Sequence, residues 1–138
     1  MDLTINLNER LKAISKNIPE CETLVDIGTD HAYLPVYAVS SNICKKAVAV
    51  DVQKGPVKRA IKNVAKYNLK EKISVRLGDG LEPVEEHECQ VIVIAGMGGF
   101  LMSKILSTSF CKAQKAQMII LQPMSDQVTI REWLYNNG

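Results

Sequence analysis

Aromatic side chains make up only 5% of the 138 residues. A core for this chain cannot rest on stacked rings and must come from Val, Ile, Leu and Ala, which suits a parallel sheet whose strands are covered on both faces. Cysteine is sparse and scattered. Cys21, Cys44, Cys89 and Cys111 form no C-x-x-C pair and show no His spacing of a zinc site, so reduced, buried or incidental thiols are expected, and no metal. No run approaches the roughly 20 apolar residues that cross a bilayer. The opening MDLTINLNERLK does not read as a signal peptide, which leaves the cytoplasm as the default expectation and a membrane partner excluded. Charge of one sign is not in excess either, since the formal net charge is +2 and names no partner by itself. With 46% hydrophobic residues the chain can nonetheless bury a core as one domain.

A second lack is local. The stretch TLVDIGTDHAY, residues 23–33, reads as an apolar strand (Leu24, Val25, Ile27), a sharp turn at Gly28 and a helix carrying Ala32, Leu34, Val36 and Tyr37. In open α/β sheets such a turn lies at the carboxyl edge of a strand, where ligands bind. A dinucleotide fingerprint starting at Gly28 would require glycine at positions 30 and 33, for approach to a pyrophosphate and for seating the helix. The chain has Asp30 and Tyr33 there. A carboxylate repels a diphosphate, so the turn suits a ligand that is neutral or positive at that end. S-Adenosylmethionine, with its sulfonium and ammonium groups, fits that description.

The rest of the chain builds a sheet around this stretch. Asn6 and Glu9 suggest a capping box opening a lead-in helix, with Leu7, Leu11, Ile14 and Ile18 at helical spacing and Arg10, Lys12 and Lys16 on a solvated face. A second strand, Ala47 to Val52, ends on Asp51, 25 positions after Asp26. That is close to the offset of about 20 at which an acid grips ribose hydroxyls in dinucleotide-binding folds. Strand termination and helix capping are its plainer roles. A helix then runs from Gly55-Pro56 to about Asn68, with Val57, Ala60, Ile61 and Val64 inward.

Ile73 to Leu77 forms a third strand leading into Gly78-Asp79-Gly80, where one carboxylate between two glycines could accept from an exocyclic amine such as adenine N6, or simply make an Asp-Gly turn. Val91 to Ala95 is a fourth strand, followed by Gly96-Met97-Gly98-Gly99, a close backbone approach expected to face the methionine part of the ligand. Met118 to Leu121 is a fifth, and Ser125 is the expected cap of the last helix. Five strands with helical crossovers predict a Rossmann-like, doubly wound, mostly parallel α/β sheet with the first strand central. Lys45 to Arg76 carries ten basic residues against Asp51 and Glu71, a possible phosphate-contacting face.

Taken together, LVDIGTDHAYLP, AVDV, RLGDGL, VIVIAGMGGFLM and LQPMSD resemble the bacterial tRNA adenine-N1 methyltransferases acting at tRNA position 22, the TrmK family. DIGTDHAYLP together with AGMGG is the specific part. The resemblance implies a class I S-adenosylmethionine-dependent methyltransferase domain with tRNA as substrate. It implies that Asp26, Gly28 and Asp30 surround the methionine and sulfonium, that Asp51 holds the ribose, that Asp79 and Gly80 recognise adenine, and that Ala95 and Gly96 line the transfer channel. Thr29, Val52 and Met97 complete the expected cofactor set. The family also has two further strands and a C-terminal helical region, so residues 1–138 are expected to be a C-terminally truncated methyltransferase domain.

Adenine N1 has a lone pair and loses no proton from that atom on methylation, so alignment is the main requirement and no strong base is needed. Asp30, His31 and Tyr33, at the mouth of the turn, are the candidate substrate-positioning residues, the ring pair by stacking on or hydrogen-bonding to the base. A duplexed adenine would have to be exposed before reaction. Two rivals remain: a nicotinamide dehydrogenase, disfavoured by Asp30 and Tyr33, and a non-catalytic module binding adenosylmethionine or RNA.

Overall fold

The short, nearly continuous apolar runs can bury both faces only if helices cover them, and an α-helix follows every strand except the third, whose connection holds only a 3-10 turn, Glu86–Glu88, where the sequence predicts a helical crossover. The computed structural model describes residues 5–138. Its five strands are β1 (Cys21–Ile27), β2 (Cys44–Asp51), β3 (Ile73–Leu77), β4 (Val91–Gly98) and β5 (Met118–Ser125). All pair in parallel, in the order β3-β2-β1-β4-β5, which puts β1 at the centre as the sequence predicts.

Helices α1 (Glu9–Lys16), α2 (Tyr33–Ser40) and α3 (Lys54–Lys66) cover one face of the sheet; α4 (Gly99–Thr108), α5 (Phe110–Lys115) and α6 (Gln127–Asn137) cover the other. Alternation along the strands divides the core between the two. Leu24, Ala47, Ala49, Val91 and Val93 pack with Leu34, Val36, Ala60 and Val64, whereas Val25, Ile27, Val50, Ile92 and Ile94 pack with Met102, Leu106 and Ile130. Each fully buried Val, Leu or Ile contributes roughly 1.5–3 kcal/mol. The β1–β2 and β1–β4 pairs therefore form the stiff centre from which the loops project. Among the described residues no helix is long and apolar enough to cross a membrane, and no group of three or more His, Cys, Asp or Glu could hold a metal. The four cysteines are free, Cys21 and Cys44 facing each other across β1 and β2.

Several boundaries differ from those expected. The cap of α1 is Asn8, whose Oδ1 accepts from Leu11 N at 2.8 Å, and the Asn6–Glu9 capping box does not form. Ile61 is 49% exposed because α3 rests on the sheet through Ala60 and Val64. β2 stops at Asp51, leaving Val52 outside it. β4 continues through the glycines to Gly98 with register shifts against β5. Ser125 ends β5, and the residue preceding α6 is Asp126 in the left-handed region (φ 53°), with no side-chain cap.

Candidate functional site

β1 connects to β2 on one side and neighbours β4 on the other, so the sheet has its switch point between β1 and β4. The rule for open α/β sheets places ligands outside the carboxyl ends there. Gly28 leaves β1 at φ +74°, and both its N–H and that of Thr29 donate to the Val50 carbonyl at 2.9 and 3.0 Å. The turn thus stays attached to β2. A Cβ at Gly28 would lie 2.5 Å from Met97 Cε, so β4 approaches the turn closely.

Asp30 and Ala32 also adopt left-handed backbone, φ 55° and 60°. For non-glycine residues this costs about 1–3 kcal/mol each and must be held by surroundings. Helix α3 holds it: Asn63 Nδ2 donates to the His31 carbonyl at 2.8 Å, and Arg59 Nη2 donates to Asp30 Oδ1 at 3.0 Å. His31 Nε2 lies 3.7 Å from Asp30 Oδ2. The His31 and Tyr33 rings are stacked, with centroids 5.0 Å apart and planes 14° from parallel.

The two acids of the turn are in different situations. Asp26 is buried at 6% exposure and accepts from Thr29 Oγ1 at 2.8 Å. Burial pushes its carboxyl up to about 7, opposed by the Thr29 hydrogen bond and the Arg10 charge and reinforced by Asp51. Asp30, expected beside a sulfonium, has a side chain 58% exposed and paired to Arg59. It borders the site, but its charge is already compensated at the rim. Asp26 is the acid enclosed by the site.

Two cavities meet at Gly28. One, of about 220 Å³, is bounded by Asp26, Thr29, Asp30, His31, Tyr33 and Ala95 together with Asn8, Arg10 and Leu11 of the α1 region. The other, of about 110 Å³ and mostly apolar, is bounded by Asp51, Val52, Asp79, Gly80 and Met97, with Leu101 and Ile105 closing its floor. Asp51 Oδ2 accepts from Asp30 N at 3.2 Å and Oδ1 from Gln53 N at 3.1 Å. These backbone donors fix the carboxylate at the end of β2. Gly80, at φ +58°, lies where a Cβ would be 3.0 Å from Ile105. A larger open hollow of about 510 Å³, bounded by Glu22, Lys46, His87 and Gln90, contains none of the predicted site residues. It adjoins the amino ends of β1, β2 and β4, the edge opposite to that used by ligands in such sheets.

Of the expected residues, Gly96 alone borders neither small cavity. Its backbone, at φ +78°, lies under the Arg10 guanidinium, and a Cβ there would be 3.2 Å from Nη1. Gly98 and Gly99 serve packing: added Cβ atoms would meet Ser125 Oγ and the Asp126 carbonyl. The close approach read from this glycine run is therefore partly to the β5–α6 junction.

Arg10 and Gln122 were not anticipated. Gln122 Oε1 accepts from Gly96 N at 3.1 Å and from Arg10 Nη1 at 3.2 Å, tying β5, β4 and α1 together over the site. The sequence carried no signal for Arg10, which is an exposed cation in the first turn of α1.

The basic stretch does not form one face. Lys45, Lys46, Lys70 and Lys72 lie at or before the starts of β2 and β3, whereas Lys54 and Lys58 open α3 beside the carboxyl ends. Lys45 pairs with Glu22, Arg59 with Asp30, and Arg76 with both oxygens of Glu88 at 2.7 and 2.8 Å. The Glu88 pair holds Arg76 above and Glu88 below their usual ranges.

Comparison with known proteins agrees with this architecture. The chain is 44% identical over 131 residues to the Bacillus subtilis tRNA (adenine(22)-N(1))-methyltransferase, covering 95% of this chain and 55% of that protein. The crystal structure of the B. subtilis tRNA methyltransferase TrmK superposes with a TM-score of 0.89 at 42% identity, over 96% of this chain and 57% of that one. A Streptococcus pneumoniae protein crystallised with S-adenosyl-L-methionine gives a TM-score of 0.93 at 40% identity, over 96% and 63% of the two chains. The chain thus spans little more than half the length of such relatives, and the resemblance read from its motifs is borne out. A family model described as a methyltransferase domain matches residues 7–138, and the chain belongs to that family.

Proposed function

We propose that this protein transfers a methyl group from S-adenosylmethionine to N1 of an adenine in tRNA, at position 22 as in the B. subtilis relative. The observation that carries the reading is the pair of cavities meeting at Gly28, with Asp26 in one and Asp51 and Asp79 in the other. The chemistry of these residues fits the donor. Asp26 suits a cationic amino-acid end, Asp51 offers carboxylate oxygens to vicinal hydroxyls, and the apolar floor of Leu101 and Ile105 suits an adenine ring flanked by Asp79. When bound, the donor supplies an electrophilic methyl on a sulfonium.

The chain's part is alignment and exclusion of water. The stacked His31–Tyr33 pair borders the donor cavity and offers a flat surface for a base taken out of its helix. Lys54 and Lys58, exposed at the start of α3 beside the carboxyl ends of the strands, would meet tRNA phosphates. Lys45, Lys46, Lys70 and Lys72 lie toward the opposite ends of the strands. No residue is assigned as a general base, since N1 uses a lone pair. The setting is the cytoplasm, where unmodified tRNA and adenosylmethionine occur together.

The test is incubation of the protein with labelled adenosylmethionine and unmodified bacterial tRNA, followed by mapping of the label. Label at N1 of adenine 22 is the expected result. Binding of NAD in preference to adenosylmethionine, or donor binding without transfer to any tRNA, would overturn it.

A further inference from the structure

We propose that Cys21 and Cys44 form a redox modification site, a dithiol that peroxide converts into a reversible disulfide tying β1 to β2. This does not rest on the functional reading above. The two residues are Cα partners in the parallel β1–β2 ladder. Neighbouring strands run about 4.8 Å apart, inside the range of roughly 4.4–6.8 Å that a disulfide spans between Cα atoms. Both side chains turn to the same face of the sheet, where Cys44 belongs to the core and Cys21 packs against it. Their sulfurs are 2.7 Å apart.

Packing does not account for the pair. A small apolar residue at each position would fill the space, as Ala47 and Ala49 do farther along β2. The other two thiols have no such partner: Cys89 is buried and donates to the Glu85 carbonyl at 3.5 Å, and Cys111 is exposed. Cys21 N donates to the Ile43 carbonyl at 3.0 Å, which pins the start of β1 beside Cys44. The bond can therefore form by side-chain rotation, with the two strands left where they are.

Cys21 is the half-buried member and Cys44 the buried one, so the oxidant meets Cys21 first. The Cys21 thiolate attacks one peroxide oxygen, the O–O bond breaks, and the departing hydroxide takes up the thiol's proton to leave as water. The Cys44 sulfur then attacks Cys21 Sγ and the S–O bond of the sulfenic acid breaks. The second hydroxide leaves as water with the Cys44 proton. Two thiols are oxidised and one peroxide is reduced to two waters. Burial holds both thiols above their usual range, so thiolate is scarce and the reaction is slow. The bond joins positions 23 apart and closes a loop that contains β1, the Gly28 turn and α2. It lies at the amino ends of the strands, away from the edge where Gly28 and Asp51 stand.

The experiment treats the folded wild-type protein with hydrogen peroxide, alkylates it under denaturing conditions and maps the tryptic peptide 17–45, which holds both thiols and neither of the other two. The expected result is an unalkylated peptide lighter by two hydrogens, returning to the doubly alkylated form when dithiothreitol precedes alkylation. The oxidised protein should unfold at higher urea, its unfolding constant reduced roughly 100-fold by the closed loop. Cys21→Ala, whose cooperative urea transition before treatment shows that it is folded, should show neither the mass loss nor the shift in midpoint. Two alkylated thiols in the wild-type peptide after peroxide, linkage of either cysteine to Cys89 or Cys111, or sulfinic acid at Cys21 in place of the disulfide would overturn the site. A linked protein with an unchanged urea midpoint would overturn its role as a tie between the strands.

Discussion

Replacing Asp26 by Asn isolates the effect of one enclosed charge. The carboxyl is buried beneath the turn and titrates near 7 in the folded protein because burial disfavours its ionised form. In the unfolded chain it titrates near 4. Between those values the native state holds a proton that the unfolded state has released, so stability falls as pH rises through this interval and is level above it. The full difference corresponds to roughly 4 kcal/mol, and the part between pH 5 and 7 to roughly 2–3 kcal/mol. Glu88, whose pKa is lowered, changes stability only at more acid pH, and burial of Cys89 pushes its thiol up to about 11, so neither intrudes between pH 5 and 8. Urea unfolding at pH 5, 6, 7 and 8 should therefore show the wild type losing stability and Asp26→Asn holding nearly constant. The variant should be the more stable protein at pH 8, its amide oxygen still able to accept from Thr29 Oγ1. Donor affinity of the wild type should rise over the same interval, as the ionised acid becomes available to an ammonium group. Parallel unfolding curves for the two proteins at all four pH values would refute the reasoning.

Other perturbations test the frame around that charge. Gly28→Ala places a Cβ at φ +74° against the Met97 methyl, so about 1–2 kcal/mol of stability should be lost in urea unfolding, with a larger loss of donor affinity in titration. Gly99→Ala drives a Cβ into the Asp126 carbonyl, and because that obstacle is backbone, the β5–α6 junction must move; a loss of several kcal/mol and faster amide exchange in α6 are expected. Arg76→Ala leaves the half-buried Glu88 without its bidentate partner and should cost about 1–2 kcal/mol at pH 7, an effect that shrinks below the acid's pKa. Lys54→Glu with Lys58→Glu should weaken tRNA binding and reduce the slope of log affinity against log salt by about 1–2, whereas Lys70→Glu with Lys72→Glu should leave the slope nearly unchanged.

What could be read from the sequence follows from the range of the forces involved. The parallel strands were legible because burial on both faces demands continuous apolar runs, and Val91 to Ile94 is such a run with every member fully buried. The turn was legible because Gly28 and the acids at 26 and 51 are tied to strand ends by local geometry. Pairings across the fold left no comparable trace. Nothing near Asp30 in the chain announces that Arg59, 29 residues on, neutralises it, and this pairing moves the role of the enclosed acid to Asp26. The glycines after β4 were correctly read as a close approach, yet one sequence signal served two neighbours, the Arg10 guanidinium over Gly96 and the Asp126 carbonyl against Gly99. Arg10 itself was concealed by its charge: it is exposed in the first turn of α1, and only the fold brings its guanidinium over Gly96. A long cationic side chain can lay its stem along the protein while its head stays in water, and here the head lies over Gly96 beside the cavity bounded by Asp26.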